Sequence, residues 1–237
     1  MPGTYPETSW SLIERARASG EDGNLAKQHF QERYRSPVLA YVRALTKTSS
    51  LDYTQIAEDF FVDQVWMGKV LVSAKQDHSR FRYFLKICVR NYVTSRLREL
   101  KPVNRLDTAA EAQLAGDYTM EPEYAFEQER ARDLLARAIE LVKQQCIVQN
   151  EAHHFATFER RFLTEATRAP SWAAVGKSLP MTDGSEIDVD HRAARSMAET
   201  VSDRVRRAIL DELRLRTGST KQAEEELELL AGVLGAQ

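Results

Sequence analysis

The chain of 237 residues has a formal charge of −2, with 43% hydrophobic and 29% charged residues. That balance is ordinary for a folded chain and leaves room for one large or two small domains. Two cysteines, Cys88 and Cys146, make neither a disulfide framework nor a paired-cysteine metal motif, and no apolar run reaches membrane-spanning length.

Only 10 Gly and 7 Pro punctuate the chain. Apolar residues recur at helical rather than alternating spacing, so the expected fold is all-α. Residues 1–8 read as a loose leader. The opening MPGTYPETSW lacks the basic-then-apolar form of a secretory signal, so the expected location is cytoplasmic. Ser9 is placed to cap a helix through Trp10, Leu12, Ile13 and Ala16, ended by Gly20 to Gly23. A second pattern starts near Asn24 and passes Leu25, Phe30 and Tyr34. Pro37 is expected to open a new turn or kink it, since proline cannot donate to the preceding turn. Val38, Leu39, Tyr41, Val42 and Leu45 give the next apolar face. After the polar turn Thr46–Ser50, Asp52 is the expected N-cap of a third helix. Its Ile56, Phe60, Val65 and Trp66 turn toward the core, and Gln55, Glu58, Asp59 and Asp63 line another face.

From 75 to 101 the chain carries eight Lys/Arg against two acids, a local charge of +6. The segment Arg80–Lys101 repeats apolar residues at Phe81, Phe84, Leu85, Cys88 and Tyr92, the stripe of an amphipathic helix. Arg82, Lys86 and Arg90 step by four and share one arc beside that stripe, with Tyr83 on the same side, away from the core. A basic helix face with an aromatic neutralises phosphates and stacks on an unpaired base. The competing reading is a solvated face whose charges serve solubility alone.

Residues 102–122 have the Pro, Gly and Ala punctuation of a linker, and the domain boundary is expected there. Glu123–Ile147 reads as a long helix with Tyr124, Phe126, Leu134, Leu135, Ala138, Leu141 and Val142 inward. Phe155, Phe158, Phe162 and Leu163 mark the next. The adjacent His153 and His154 lack the spacing of a helical zinc pair. Ser171 is placed to cap SWAAVGKSL. Asp188 or Asp190 then caps a long helix with Met197, Val201, Val205, Ile209 and Leu213 on one face. The tail carries an acidic amphipathic helix, EEELELLAGVL, whose leucines either pack intramolecularly, on the second domain, or meet a partner. No nucleophile elbow, phosphate loop or HExxH motif occurs, so the expectation is a non-enzyme with no cofactor and no metal.

The string Phe81-Arg82-x-Phe84-Leu85, followed by Arg90-Asn91, Arg96 and Arg98, resembles the promoter-melting helix of bacterial RNA polymerase sigma factors. The similarity is to the extracytoplasmic-function type, in a group with the form GRFRxFL, where this chain has Ser79 for the Gly. Ser9–Ser19 and Phe30–Leu45 resemble that group's first two helices. Tyr53–Trp66 stands where the polymerase-docking helix belongs, with Gln55 and Glu58 in place of the family's Asp and Gln. Ser171–Leu179 resembles the first helix of its helix-turn-helix.

The resemblance implies two helical domains: 9–101, a bundle for polymerase docking and the −10 element, and 123–237, a helix-turn-helix domain with the acidic tail helix. It implies promoter contacts through Arg80, Arg82, Tyr83, Lys86, Arg90, Asn91, Arg96 and Arg98, and upstream-duplex contacts through Arg192, Arg195 and Ser196. It implies polymerase contacts through Gln55, Glu58, Asp59 and Asp63. The implied partners are core RNA polymerase, promoter DNA and an anti-sigma or other regulatory protein. The alternative is a sigma-derived adaptor that keeps the fold and docking role without promoter reading. The stretch PMTDGSEIDVD is longer than the three or four residues that usually separate the two helices of such a motif.

Overall fold

The computed structural model describes residues 9–47, 49, 51–74, 81–100, 120–164 and 169–235, with the side chains of 9, 10, 100, 120 and 121 left aside. Among them are ten α-helices, two π-helical turns and one two-stranded ribbon, so the described residues are mostly helical, as the periodicity predicts. No described helix is long and apolar enough to cross a membrane.

Contacts divide the chain into two compact units, Met1–Arg132 with Arg214–Gln237, and Asp133–Leu213. This division does not fall at the 102–122 segment. Residues 102–119 lie outside the described region, while Met120–Pro122 begin a helix. The first unit contains α1 (Ser9–Arg17), α2 (Glu21–Leu45), α3 (Tyr53–Phe60), a π-helical turn (Phe61–Trp66), α4 (Lys69–Ser73) and α5 (Phe81–Leu100). To these it adds the start of α6 (Met120–Val148) and all of α10 (Thr220–Gly235).

The core of the first unit is the set of inward rows that helical spacing produces. Ile13 and Ala16 of α1, Phe30, Val38 and Tyr41 of α2, Phe60 of α3 and Phe126 of α6 are buried together. Phe30 packs its ring 4.7 Å from Tyr34 and 5.9 Å from Phe81, the latter edge-on at 81°. α2 starts at Glu21, earlier than the expected Asn24, and runs through Pro37 as one helix. Pro37 is itself buried, so packing along the whole face offsets the one backbone hydrogen bond that proline forfeits. Asp52 caps α3 as predicted, its carboxylate accepting from the Thr54 and Gln55 amides at 2.9 and 3.3 Å. α4 is only five residues long. Arg17 stabilises its open end by donating to the carbonyls of Leu71, at 2.8 Å, and Ala74.

Where α1 and α2 meet, a Cβ on Gly23 would strike the Ala18 carbonyl oxygen. Gly23→Ala is therefore expected to lower stability by about 1–3 kcal/mol in urea denaturation. Gly232→Ala serves as the contrast. With nothing within 4 Å of its added Cβ, it should show the ordinary gain of up to about 1 kcal/mol for removing a helical glycine.

The second unit holds the rest of α6, α7 (Ala152–Phe158), a second π-helical turn (Glu159–Leu163), α8 (Trp172–Val175), strands β1 (Leu179–Pro180) and β2 (Glu186–Ile187), and α9 (His191–Thr217) up to Leu213. Leu134, Ala138, Val142 and Cys146 pack there, as do Phe155, Phe158 and the α9 row Ala194, Ala198, Val201, Val205, Ile209 and Leu213. Tyr124 and Leu141, expected inside, are exposed, as are Phe162 and Leu163. Along α6 the neighbouring row supplies the core instead: Phe126, Arg130, Leu134, Ala138 and Val142. The π-helical turn that carries Phe162 and Leu163 has no buried residue.

Candidate nucleic-acid interface

Residues four apart on a helix stand nearly above one another, so the sequence of α5 resolves into four rows. Phe81, Leu85, Val89 and Val93 form the buried row. This corrects the predicted stripe: Phe84, Cys88 and Tyr92 are only partly buried at its edge. Both rows are apolar, and the β-branched pair Val89 and Val93 is the fully buried one. Tyr83, Ile87, Asn91 and Ser95 make the outward row, with Tyr83 56% exposed and Arg98 exposed beyond it. Arg80 lies outside the described residues.

The fourth row is Arg82, Lys86 and Arg90. The structure brings these three together as expected but does not leave them open to solvent. Their side chains are 30%, 15% and 18% exposed, because carboxylates from α6 and α10 stand against them. Arg90 Nη2 lies 2.9 Å from Glu123 Oε1. Lys86 Nζ lies 3.3 Å from Glu127 Oε1, and Arg82 Nη1 lies 3.4 Å from Glu127 Oε2 and 3.1 Å from Glu226 Oε1. Arg130, itself buried, donates to Glu127 at 2.9 Å and to Glu226 at 2.8 Å.

Burial alone would raise the pKa of Glu127. The charges of Arg130, Arg82 and Lys86 outweigh it and hold the carboxyl below its ordinary value. The Tyr41 hydroxyl donates to Glu123 at 2.9 Å and accepts from Arg90 at 3.3 Å. Burial pushes it up to about 12 against the opposing pull of Arg90. Sequence reasoning missed Tyr41, Glu123, Glu127, Arg130 and Glu226 as members of this cluster. One signal was present: Glu123 and Glu127 repeat the four-residue step of the basic row.

On the other flank of α5, Arg96 Nη2 lies 3.0 Å from Asp63, and the Tyr92 hydroxyl donates to the same carboxylate at 2.6 Å. Burial and that bond push Tyr92 up to about 12. The π-helical turn, which adds a residue per turn, carries Asp63 round toward α5. Asp63 thus bonds to α5, while Gln55, Glu58 and Asp59, the other predicted docking residues, have other partners. Gln55 donates to Asp59 at 2.8 Å, and Glu58 pairs with Arg35 at 2.6 Å. A polar groove of about 460 Å³ lies between the turn and α5, lined by Asp63, Asn91, Tyr92, Ser95 and Arg96 among others.

In the second unit Ser171 caps α8, accepting from the Ala174 amide at 3.3 Å. Asp190 caps α9, accepting from the Arg192 and Ala193 amides at 2.8 Å. What separates α8 from α9 is the antiparallel ribbon β1–β2, with Gly184 at its tip in a left-handed conformation (φ 85°), rather than a tight turn. Asp188 ties the ribbon down through Lys177 at 2.7 Å and the Ser178 amide at 2.8 Å. Arg192, Arg195 and Ser196 are all exposed on the first turns of α9, and Arg195 pairs with Glu199 at 2.7 Å. Among the described residues no cluster of His, Cys, Asp or Glu is arranged to hold a metal ion. Comparison of the chain with protein-family models, curated proteins and solved structures gives no match.

Proposed function

We propose that the chain is a sigma-like transcription initiation factor that binds core RNA polymerase and captures unpaired promoter DNA on α5. The observation that carries this reading is the outward row of α5. It offers a ring for stacking at Tyr83 and an amide for base edges at Asn91, with the exposed Arg98 beyond it as a cation for phosphate, on the helix whose sequence resembles the promoter-melting element. The exposed Gln55 and the half-buried Glu58 and Asp59 of α3 are the proposed polymerase contacts. Arg192, Arg195 and Ser196 are the proposed contacts to upstream duplex, entering by the N-terminal end of α9.

The test is reconstituted transcription with purified core polymerase on DNA from upstream of the protein's own gene and on a mixed promoter pool. Tyr83→Ala/Asn91→Ala is expected to reduce a promoter-specific transcript about tenfold or more, since stacking is worth about 1–3 kcal/mol per base. The thermal midpoint should stay unchanged, both side chains being exposed.

The adaptor reading has its own support. Arg82, Lys86 and Arg90 are all held by carboxylates of the same unit, so a protein that never meets DNA would still need them for its fold. Binding to core polymerase with no transcript from any template would favour that reading.

A further inference from the structure

Glu226 is the most enclosed carboxylate on the basic row, its side chain 14% exposed, yet it comes from a helix with few buried residues. The helix that brings it, α10, buries only Ala223 and Leu230, and leaves Leu229 71% exposed. Glu123 and Glu127 come instead from α6, whose Phe126 is fully buried in the core of the unit. The cluster also carries one more cation than it has carboxylates. Four cations, Arg82, Lys86, Arg90 and Arg130, share the three carboxylates Glu123, Glu127 and Glu226. Arg82 and Arg130 both aim a guanidinium nitrogen at the same atom, Glu226 Oε1, at 3.1 and 2.8 Å. Two guanidinium groups converging on one anionic oxygen is the arrangement that binds a phosphate.

We infer that Glu226 occupies a phosphate site formed by Arg82 and Arg130, and that α10 thereby closes one end of the nucleic-acid face of α5. Tyr83 stands next to Arg82 in the chain and is already exposed. A strand whose base stacks on Tyr83 has its backbone close to the place Glu226 holds. When α10 leaves, Arg82 and Arg130 retain Glu127 alone, and a phosphate takes the vacated position. The ligand is the phosphate backbone of a single-stranded nucleic acid. Free α10 also exposes Ala223 and Leu230, so leaving has a cost, and the strand must replace what the carboxylate supplied. The inference rests on the proposed reading of α5 as a nucleic-acid face and adds to it an internal competitor.

The test uses the full chain and a fluorescein-labelled oligothymidylate of about twenty nucleotides. Glu226→Gln keeps the shape and removes the charge. Glu225→Gln, at an exposed neighbour, controls for net charge. Glu226→Gln is expected to bind at least about fivefold tighter, with a salt slope steeper by about 0.7 for each phosphate newly contacted. Amide exchange in α10 should quicken, Glu225→Gln should match wild type, and Arg82→Ala/Glu226→Gln should lose the gain. If Glu226→Gln opens α10 but matches wild type in affinity and slope, and wild type binds through Tyr83, the competitor is refuted while the nucleic-acid face stands. Unchanged exchange and unchanged affinity refute the competitor equally. If neither folded protein binds the oligonucleotide, the reading of the face falls and takes the inference with it.

Discussion

Phe81→Ala is expected to cost the first unit about 3–5 kcal/mol, read as a lower urea midpoint at unchanged slope. Phe81 opens α5 and is buried against two aromatic rings of α2: Phe30 at 5.9 Å and Tyr34 at 5.8 Å, both edge-on. Truncation removes the transfer energy of the ring, leaves a cavity lined by groups that cannot collapse, and loses two edge-to-face contacts worth about 0.5–1.5 kcal/mol each. Phe81→Leu keeps most of the volume and should cost under about 2 kcal/mol. The loss reaches the basic row as well. Arg82 follows Phe81 directly, so a loosened first turn of α5 carries it away from Glu226. A salt dependence of stability that weakens in Phe81→Ala would report that uncoupling.

Arg130→Met is expected to cost about 3 kcal/mol, because it removes one partner from a buried charge cluster rather than the cluster itself. Glu127 and Glu226 would remain, largely enclosed, with Arg82 and Lys86 as their only cations among the contacts described. Arg130→Met/Glu226→Leu should cost less than the sum of its two single changes, the difference of about 1–3 kcal/mol measuring their coupling. The pH dependence follows from Glu127. Its folded carboxyl titrates below the ordinary glutamate value, so its contribution is complete above that ordinary value and is lost as pH falls through the depressed one. Wild type should therefore lose stability steeply in that acid window. Arg130→Met, lacking the nearest of the charges that hold Glu127 down, should show a shallower loss. Equal acid slopes in the two proteins would count against this account of the cluster.

The helices themselves were largely legible, since each spends most of its length repeating an apolar row. Which row faces inward was less so. α5 offers two adjacent apolar rows, and the spacing read from the sequence took in Phe84, Cys88 and Tyr92, whereas the interior accepts Val89 and Val93. Periodicity fixes the existence of a face and not its rotation. Asp52, Ser171 and Asp190 were readable as caps because capping depends on the next three residues only. Arg82, Lys86 and Arg90 were readable as a row but not as a covered one. Their partners are Glu123, Glu127 and Glu226, between 33 and 144 positions further along, and charge spacing within one helix says nothing about a helix so remote. The ribbon between α8 and α9 was visible only as an overlong turn. Two residues per strand are too few for alternation to register.

The first unit also takes residues from well-separated parts of the chain, which fixes an order of events during synthesis. The basic helix is translated about 125 residues before Glu226, on the order of ten seconds at ribosomal speed. For that interval the nascent chain carries Arg82, with Arg130 following it, while α10 does not yet exist. Ribosomal RNA is the nearest polyanion in that period. The proposed phosphate site is thus first exposed before the protein has an acidic helix of its own to fill it.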